Sequence, residues 1–237
     1  MASNGAARSV RLVHSSDLHL GGGHSDRPGL EGLQILEAVL RTAHHAHADV
    51  VLLVGDVFDH NRVSDELVEG AAELLEDADL PVVILPGNHD CLMPRSVYHR
   101  GVEAPSNVHV IGMTVEDRAT FPDLDLEVWG RAHFDYFDMV PLREPPPREF
   151  GWRVAAAHGH WVAGPADEHR SYLIRAHELE TLDAHYLALG HWDTPVAIGE
   201  GTPPAYYSGA PTFAGTVNLV RLDPTEGTTV TREPLRT

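Results

Sequence analysis

The chain has 237 residues, 43% of them apolar, which is enough for one large α/β domain with a substantial core. Its formal charge is -18, and all 17 of its basic residues are Arg, with no Lys. Nonspecific duplex binding draws its affinity from cations on phosphates, so this surface repels long nucleic acid except where a bound metal reverses the local field. A small or locally gripped phosphate substrate is easier to accommodate.

Cys91 is the single cysteine, which excludes an intrachain disulfide and suits a reducing compartment. Although it neighbours His89 and Asp90, no Cys/His/Asn order is evident, and a buried structural thiol is expected. Residues 1–9 carry no apolar signal-like core, and no run approaches the ~18 apolar residues of a membrane span. The sequence therefore sets the expectation of a cytoplasmic protein with no membrane contact, folded as a single domain over 1–237 with a flexible lead-in at 1–8.

The apolar run Val10 to His14 reads as a first strand that ends in Ser16-Asp17-Leu18-His19, followed by a mobile loop, Gly21-Gly22-Gly23-His24. Glu31 to His47 reads as a helix with Leu33, Leu36, Leu40 and Ala43 on one stripe, and the His44-His45-Ala46-His47 cluster falls at its wet C-terminal end. Asp49 to Gly55 shows no alternation and is expected to be buried on both faces. It ends in Gly55-Asp56-Val57-Phe58-Asp59. Ser64 caps the next helix, with Leu67, Val68, Ala71, Leu74, Leu75 and Ala78 as its apolar face. Val82 to Leu85 then leads into Pro86-Gly87-Asn88-His89-Asp90. This βαβαβ order argues for a parallel sheet with helical crossovers.

Val108 to Ile111 and Leu126 to Gly130 read as strands, and 131–148, rich in Pro, reads as a long excursion. Val154 to Ala157 ends in His158-Gly159-His160, a helix is expected near Ser171 to Leu182, and Tyr186 to Leu189 ends in Gly190-His191-Trp192-Asp193. The alternating segments Ala205 to Ser208, Val217 to Leu222 and Thr228 to Glu233 are expected to close a second sheet as antiparallel strands. Apolar runs that each end in Asp, His or Asn place hard oxygen and imidazole donors at one sheet edge, where open α/β sheets bind ligands. No thiolate takes part, which excludes a cysteine-type structural zinc and favours Mn²⁺, Fe or Zn²⁺ at a catalytic site.

With these motifs in chain order, the sequence resembles the calcineurin-like metallophosphoesterases, whose signature runs DxH, GDxxD, GNH[DE], an isolated His, then GHxH. Within that superfamily the stretches Ser15 to Gly21, Gly55 to Arg62 and Tyr207 to Pro211 are most similar to the SbcD-type DNA exonuclease branch. The resemblance implies a metallo-dependent phosphatase fold, a four-layer α-β-β-α sandwich of two mixed sheets flanked by helices. It also implies two divalent metal ions, with Mn²⁺ favoured: Asp17, His19 and Asp56 on the first, Asp56, Asn88, His158 and His191 on the second, Asp56 bridging. Two such ions make hydroxide available for in-line attack on phosphorus. His89 would stabilise or protonate the departing oxygen, Asp90 would orient the His89 ring, and Asp59 would act from behind the ligands. His160 and Arg62 are candidates for substrate phosphate.

The signature ends in His where this chain has Asp193, which either ligates the first ion or turns away and leaves water in its place. The implied activity is hydrolysis of a phosphodiester, in a nucleotide, an oligonucleotide or another nuclease-type substrate such as short or single-stranded nucleic acid. The alternatives are a phosphomonoesterase of the same fold and a catalytically silent scaffold. Because the chain ends soon after Pro211, where SbcD-type nucleases carry a further C-terminal region, a stand-alone enzyme without an ATPase partner is expected. Its oligomeric state is left open.

Overall fold

A computed structural model describes residues 8–22, 31–142, 145–162, 164, 169–198, 201 and 203–237. Gly23 and His24 of the expected mobile loop, and 143–144 of the 131–148 excursion, lie outside the described residues. The elements run β1 (Val10–Ser15), α1 (Leu33–His45), β2 (Val50–Val54), α2 (Asp65–Asp77), β3 (Val82–Leu85), β4 (Val108–Val110), β5 (Arg118–Phe121) and β6 (Leu126–Gly130). They continue with β7 (Trp152–His158), β8 (His160–Val162), β9 (Leu173–Arg175), α3 (Ala176–Glu180), β10 (Tyr186–Gly190), β11 (Val196–Ile198), β12 (Ala205–Tyr207), α4 (Pro211–Ala214), β13 (Thr216–Asp223) and β14 (Gly227–Pro234).

Two mixed six-stranded sheets lie face to face. The first has the order β14-β13-β1-β2-β3-β4 and the second β11-β12-β10-β7-β6-β5. Strand β2 shows why its sequence lacks alternation: every residue is buried, with Val50, Leu52 and Val54 in the core between the sheets and Val51 and Leu53 in the core under α1 and α2. Burying each such side chain contributes roughly 1.5–3 kcal/mol. Helix α1 buries Leu36, Leu40 and Ala43 of the expected stripe, and Ser64 caps α2 by accepting the Leu67 N–H at 3.3 Å. The histidines at the end of α1 are on its wet side: His44, His45 and His47 are all exposed.

The structure corrects two expectations. Strands β13 and β14 close the first sheet, not the second: β13 runs antiparallel to β1, with Val10 opposite Leu222 and His14 opposite Asn218, and β14 pairs outside it. An alternating pattern specifies one buried face but not which sheet supplies the partner edge. The helix expected over Ser171 to Leu182 shrinks to Ala176–Glu180. Tyr172 adopts φ +58°, which no helix tolerates, and Leu173–Arg175 pairs in parallel with His160–Val162 instead. Glu178 then starts the short helix by accepting the Arg175 N–H at 2.6 Å. The outer layer of the second sheet is therefore thin: α3, the β8–β9 ribbon and irregular chain pack on Trp129, Ala155, Leu187 and Tyr207.

Candidate active site

Strands β1, β2, β3, β7 and β10 all end on the same side, and the loops that leave them interlock. The Asp17, His19 and Leu20 N–H groups donate to the carbonyls of Gly55, Asp56 and Val57 at 3.0, 3.0 and 2.9 Å, so the loop after β1 continues the β1–β2 pairing past the strands. This cradle requires backbone that is strained for side-chain-bearing residues. Asp17, His19, Asp56 and His191 have φ of +55°, +48°, +51° and +104°. Such conformations cost on the order of 1–3 kcal/mol each and persist where the surroundings over-determine them. Close approach requires glycine here: a Cβ on Gly55 would strike the His158 ring, one on Gly87 the Asp56 carboxylate, and one on Gly190 the Val54 carbonyl.

Among the described residues two donor groups result, each with its ligand atoms within 4.8 Å of one another: His19, Asp56 and His89, and Asp56, His158 and His191. Asp56 belongs to both, as its two oxygens allow. Asp56 Oδ1 accepts the His89 N–H at 2.9 Å and Oδ2 lies 3.2 Å from His158 Nε2. Asn88 Oδ1 sits between two imidazoles, 3.1 Å from His158 Nε2 and 3.2 Å from His191 Nδ1. Asp17 is buried, and both of its oxygens accept the His191 main-chain N–H, at 3.1 and 3.0 Å.

The electrostatics suit cations. Burial raises the Asp17 carboxyl to about 6, with the neighbouring Asp56 charge pushing the same way and His158 opposing. Burial also pushes Asp56 up, yet the facing His158 charge and hydrogen bond outweigh it and hold the group well below the carboxylate range. Burial alone would lower His158, but the Asp56 carboxylate raises it to about 9. Burial, together with the His158 charge, lowers His191 to about 3. A proton on His158 thus balances buried acids. The donor chemistry fits divalent ions: carboxylate, amide oxygen and imidazole converge, His158 Nδ1 donates to the Val54 carbonyl at 3.0 Å, and His19 Nδ1 pairs with Asp59 Oδ1 at 3.1 Å. Metal-ligating histidines are held in this way, with the second ring nitrogen tied to a carbonyl or a carboxylate.

Asp90 stands differently from its expected role. Asp90 does not orient the His89 ring: its Oδ1 accepts the Gly87 N–H at 2.7 Å, and its Oδ2 accepts the Val57 and Phe58 N–H groups and the Tyr98 hydroxyl, at 2.8, 3.2 and 2.6 Å. A carboxylate three residues after Gly87 is taken by the turn's own amides before it reaches the neighbouring ring. His89 Nδ1 instead meets the Asp59 main-chain carbonyl at 2.8 Å. Asp193 is exposed, and its main-chain carbonyl accepts the Ala210 N–H at 3.0 Å. Arg62 is exposed, and its N–H donates to His60 Nδ1. His160 Nδ1 accepts the Trp192 indole N–H at 2.9 Å, with its ring 6.3 Å from that of His191. Cys91 is buried, and burial raises its thiol to about 11, so it is inert.

His133 is a neighbour of the site that the motifs do not reveal. It is buried, its Nε2–H donates to the His158 carbonyl at 2.9 Å, and burial lowers its imidazole to about 4. The sequence does carry a signal for it: β6 also ends in a chemistry-bearing residue, three positions past Gly130.

The family model for calcineurin-like phosphoesterases matches residues 10–195, and the chain belongs to that family. It is therefore a metal-dependent hydrolase of phosphoesters by family. It is 24% identical over 271 residues to a subunit of the nuclease SbcCD of Bacillus subtilis (strain 168), a match covering 93% of this chain and 68% of that protein. It is 24% identical over 224 residues to the uncharacterized metallophosphoesterase YhaO of the same organism, covering 84% and 52%. A shorter match, 37% over 89 residues, joins it to the DNA double-strand break repair protein Mre11 of Aeropyrum pernix, covering 34% of this chain and 21% of that one. The fold of TT1561 from Thermus thermophilus superposes with a TM-score of 0.64 at 15% identity, covering 97% of this chain and 100% of that one, a likeness of fold alone. Among the described residues no helix is long and apolar enough to cross a membrane.

Proposed function

We propose that this protein hydrolyses a phosphodiester at a centre for two divalent ions, with Mn²⁺ the ion of choice. The observation that carries the reading is the single Asp56 carboxylate shared between His19–His89 on one side and His158–His191 on the other. Asp17, His19 and Asp56 would hold one ion, and Asp56, Asn88, His158 and His191 the other. When bound, such a pair supplies Lewis acidity toward phosphoryl oxygens and a more acidic water.

The protein's own residues do the rest. His89 is part-exposed beside the donors, with Nδ1 fixed on the Asp59 carbonyl, so Nε2 is the nitrogen that can act on substrate. In the proposed reaction, water oxygen bonds to phosphorus as the P–O bond to the leaving alcohol breaks. The departing oxygen takes the proton from His89 Nε2, and the proton lost by the attacking water is passed to solvent, from which His89 is recharged. Asp59 positions both His19, through its carboxylate, and His89, through its carbonyl. A diester is favoured over a monoester because the chain matches proteins named as a nuclease subunit and a double-strand break repair protein.

The test is turnover by Mn²⁺-loaded protein of bis-p-nitrophenyl phosphate, p-nitrophenyl phosphate and single-stranded DNA. Preference for the first and third is expected. Preference for the monoester would overturn the diester reading, and silence on all three would leave a scaffold.

A further inference from the structure

Of the large apolar side chains that the described residues leave exposed, all but Phe213 lie in one stretch after β6: Phe134, Tyr136, Phe137 and Val140. The three aromatic residues are 56%, 55% and 79% exposed. A cluster of that kind marks a binding surface more often than an accident of folding. The loop carrying it is fastened along its length. Arg131 donates to the Val140 carbonyl at 2.8 Å, closing its base, and Leu92 N–H donates to the His133 carbonyl at 2.8 Å. Asp135 accepts the Phe137 N–H at 2.9 Å, turning the tip.

Tyr172 joins this loop to the donors. Its N–H donates to Asp138 Oδ1 at 2.7 Å and its hydroxyl to the Tyr136 carbonyl at 3.1 Å, while its ring lies 4.7 Å from that of His133 and 6.1 Å from that of His191. A bulky residue at φ +58° is strained, and the two hydrogen bonds from Tyr172 to the aromatic loop are among the contacts that offset that strain.

We infer that Phe134, Tyr136 and Phe137 form a stacking platform for unpaired nucleobases of a strand whose phosphodiester lies at the candidate centre; the inference rests on the diester reading above. Charge decides between ways of gripping such a strand. A chain of net charge -18 without Lys is poorly suited to draw its affinity from counterion release along phosphates, whereas stacking on a ring face needs no cation and accepts any base. The fastening bonds fix the loop before the ligand arrives, so little ordering cost remains to be met on binding. A duplex keeps its bases stacked on one another and offers this loop no faces, so the platform selects single strands or frayed ends.

The experiment is fluorescence anisotropy of the full chain with labelled short oligothymidylate, against an abasic strand of equal length, both with phosphorothioate linkages to resist cleavage. Wild type is expected to bind the base-bearing strand about tenfold or more tighter than the abasic one, and Phe137→Ala to remove most of that advantage. Phe137→Leu, which keeps apolar area but loses the ring face, should lose as much. Equal affinity for the two strands in wild type overturns the inference. So does wild-type behaviour of Phe137→Leu, which would mean that the base preference needs no ring face at this position. Turnover of bis-p-nitrophenyl phosphate is scored separately: turnover without base preference sinks the platform alone, and base preference without turnover sinks the hydrolytic reading alone.

Discussion

His89 Nδ1 lies 2.8 Å from the main-chain carbonyl of Asp59, and the Asp59 carboxylate lies between the two rings, with Oδ1 3.1 Å from His19 Nδ1 and 3.9 Å from His89 Nδ1. One residue therefore sets two imidazoles whose rings meet edge to face with centroids 4.9 Å apart. The carbonyl accepts, so Nδ1 of His89 carries hydrogen and Nε2 is left for a leaving oxygen. His89→Ala is expected to lower kcat by about 10²–10⁴-fold, the usual range for a lost general acid. Bound metal per chain, read by elemental analysis, should not change. A fall in metal content with the fall in rate would instead make His89 a ligand, since it stands in one of the two donor groups.

The position of Asp193 leads to the opposite expectation. It is exposed, and its contact with Ala210 is made by the main chain. Asp193→Ala should leave metal content and thermal stability within error of wild type, because it removes no buried partner. Loss of one equivalent of metal would show that the loop folds inward when ions bind.

Asp90 is a structural anchor with four bonds to the turn it belongs to, to the loop after β2 and to Tyr98. Asp90→Ala would leave the Gly87, Val57 and Phe58 N–H groups and the Tyr98 hydroxyl buried without an acceptor, at about 1–3 kcal/mol for each group left unsatisfied. Loss of folded protein at ordinary temperature is expected. Tyr98→Phe deletes only the hydroxyl donor and should cost about 1 kcal/mol, with activity kept. If Asp90→Ala folded normally and only kcat fell, Asp90 would act on His89 after all.

Much of this is legible in the sequence, and the boundary between what is and is not is physical. Strands such as β2 are marked by uninterrupted apolar residues, and the site by Asp, His and Asn at their ends, because both signals are local. The positive φ of Asp17 and His19 has no signature in the residues beside them, and that of Asp56 only the neighbouring Gly55. The destination of Asp90 is hidden because sequence adjacency to His89 says nothing about which amides the folded turn presents. His133 escapes notice since it follows its strand by three residues and has no motif around it, and Tyr172 because a tyrosine in a helix-like window gives no warning of φ +58°. Sheet membership of β13 and β14 is a long-range property that alternation cannot encode.

The Asp56–His158 contact makes the metal-free protein sensitive to alkali. With the imidazole raised from 6.5 to about 9 by Asp56, the folded state holds a proton that the unfolded chain has already released. The native state binds more protons across that window, so unfolding free energy falls as pH rises: the contribution is complete below 6.5 and is lost through about 9. Asp17, raised only to about 6, is mostly ionised by the time the window opens, and His191, lowered to about 3, is neutral throughout it. Between about pH 7 and 8.5 the His158 contribution should fall by about 2 kcal/mol, partly offset by buried His14 and His133, whose lowered imidazoles act in the opposite sense, so the Tm of the chelated protein should drop. A divalent ion requires His158 Nε2 without its proton, so binding expels that proton and strengthens with pH. The Tm of Mn²⁺-loaded protein should accordingly hold level or rise over the same range. Paired melts in chelator and in Mn²⁺ read both slopes; a chelated protein whose Tm ignores pH would mean that His158 is neutral opposite Asp56 and that no proton stands where the ion is proposed to sit.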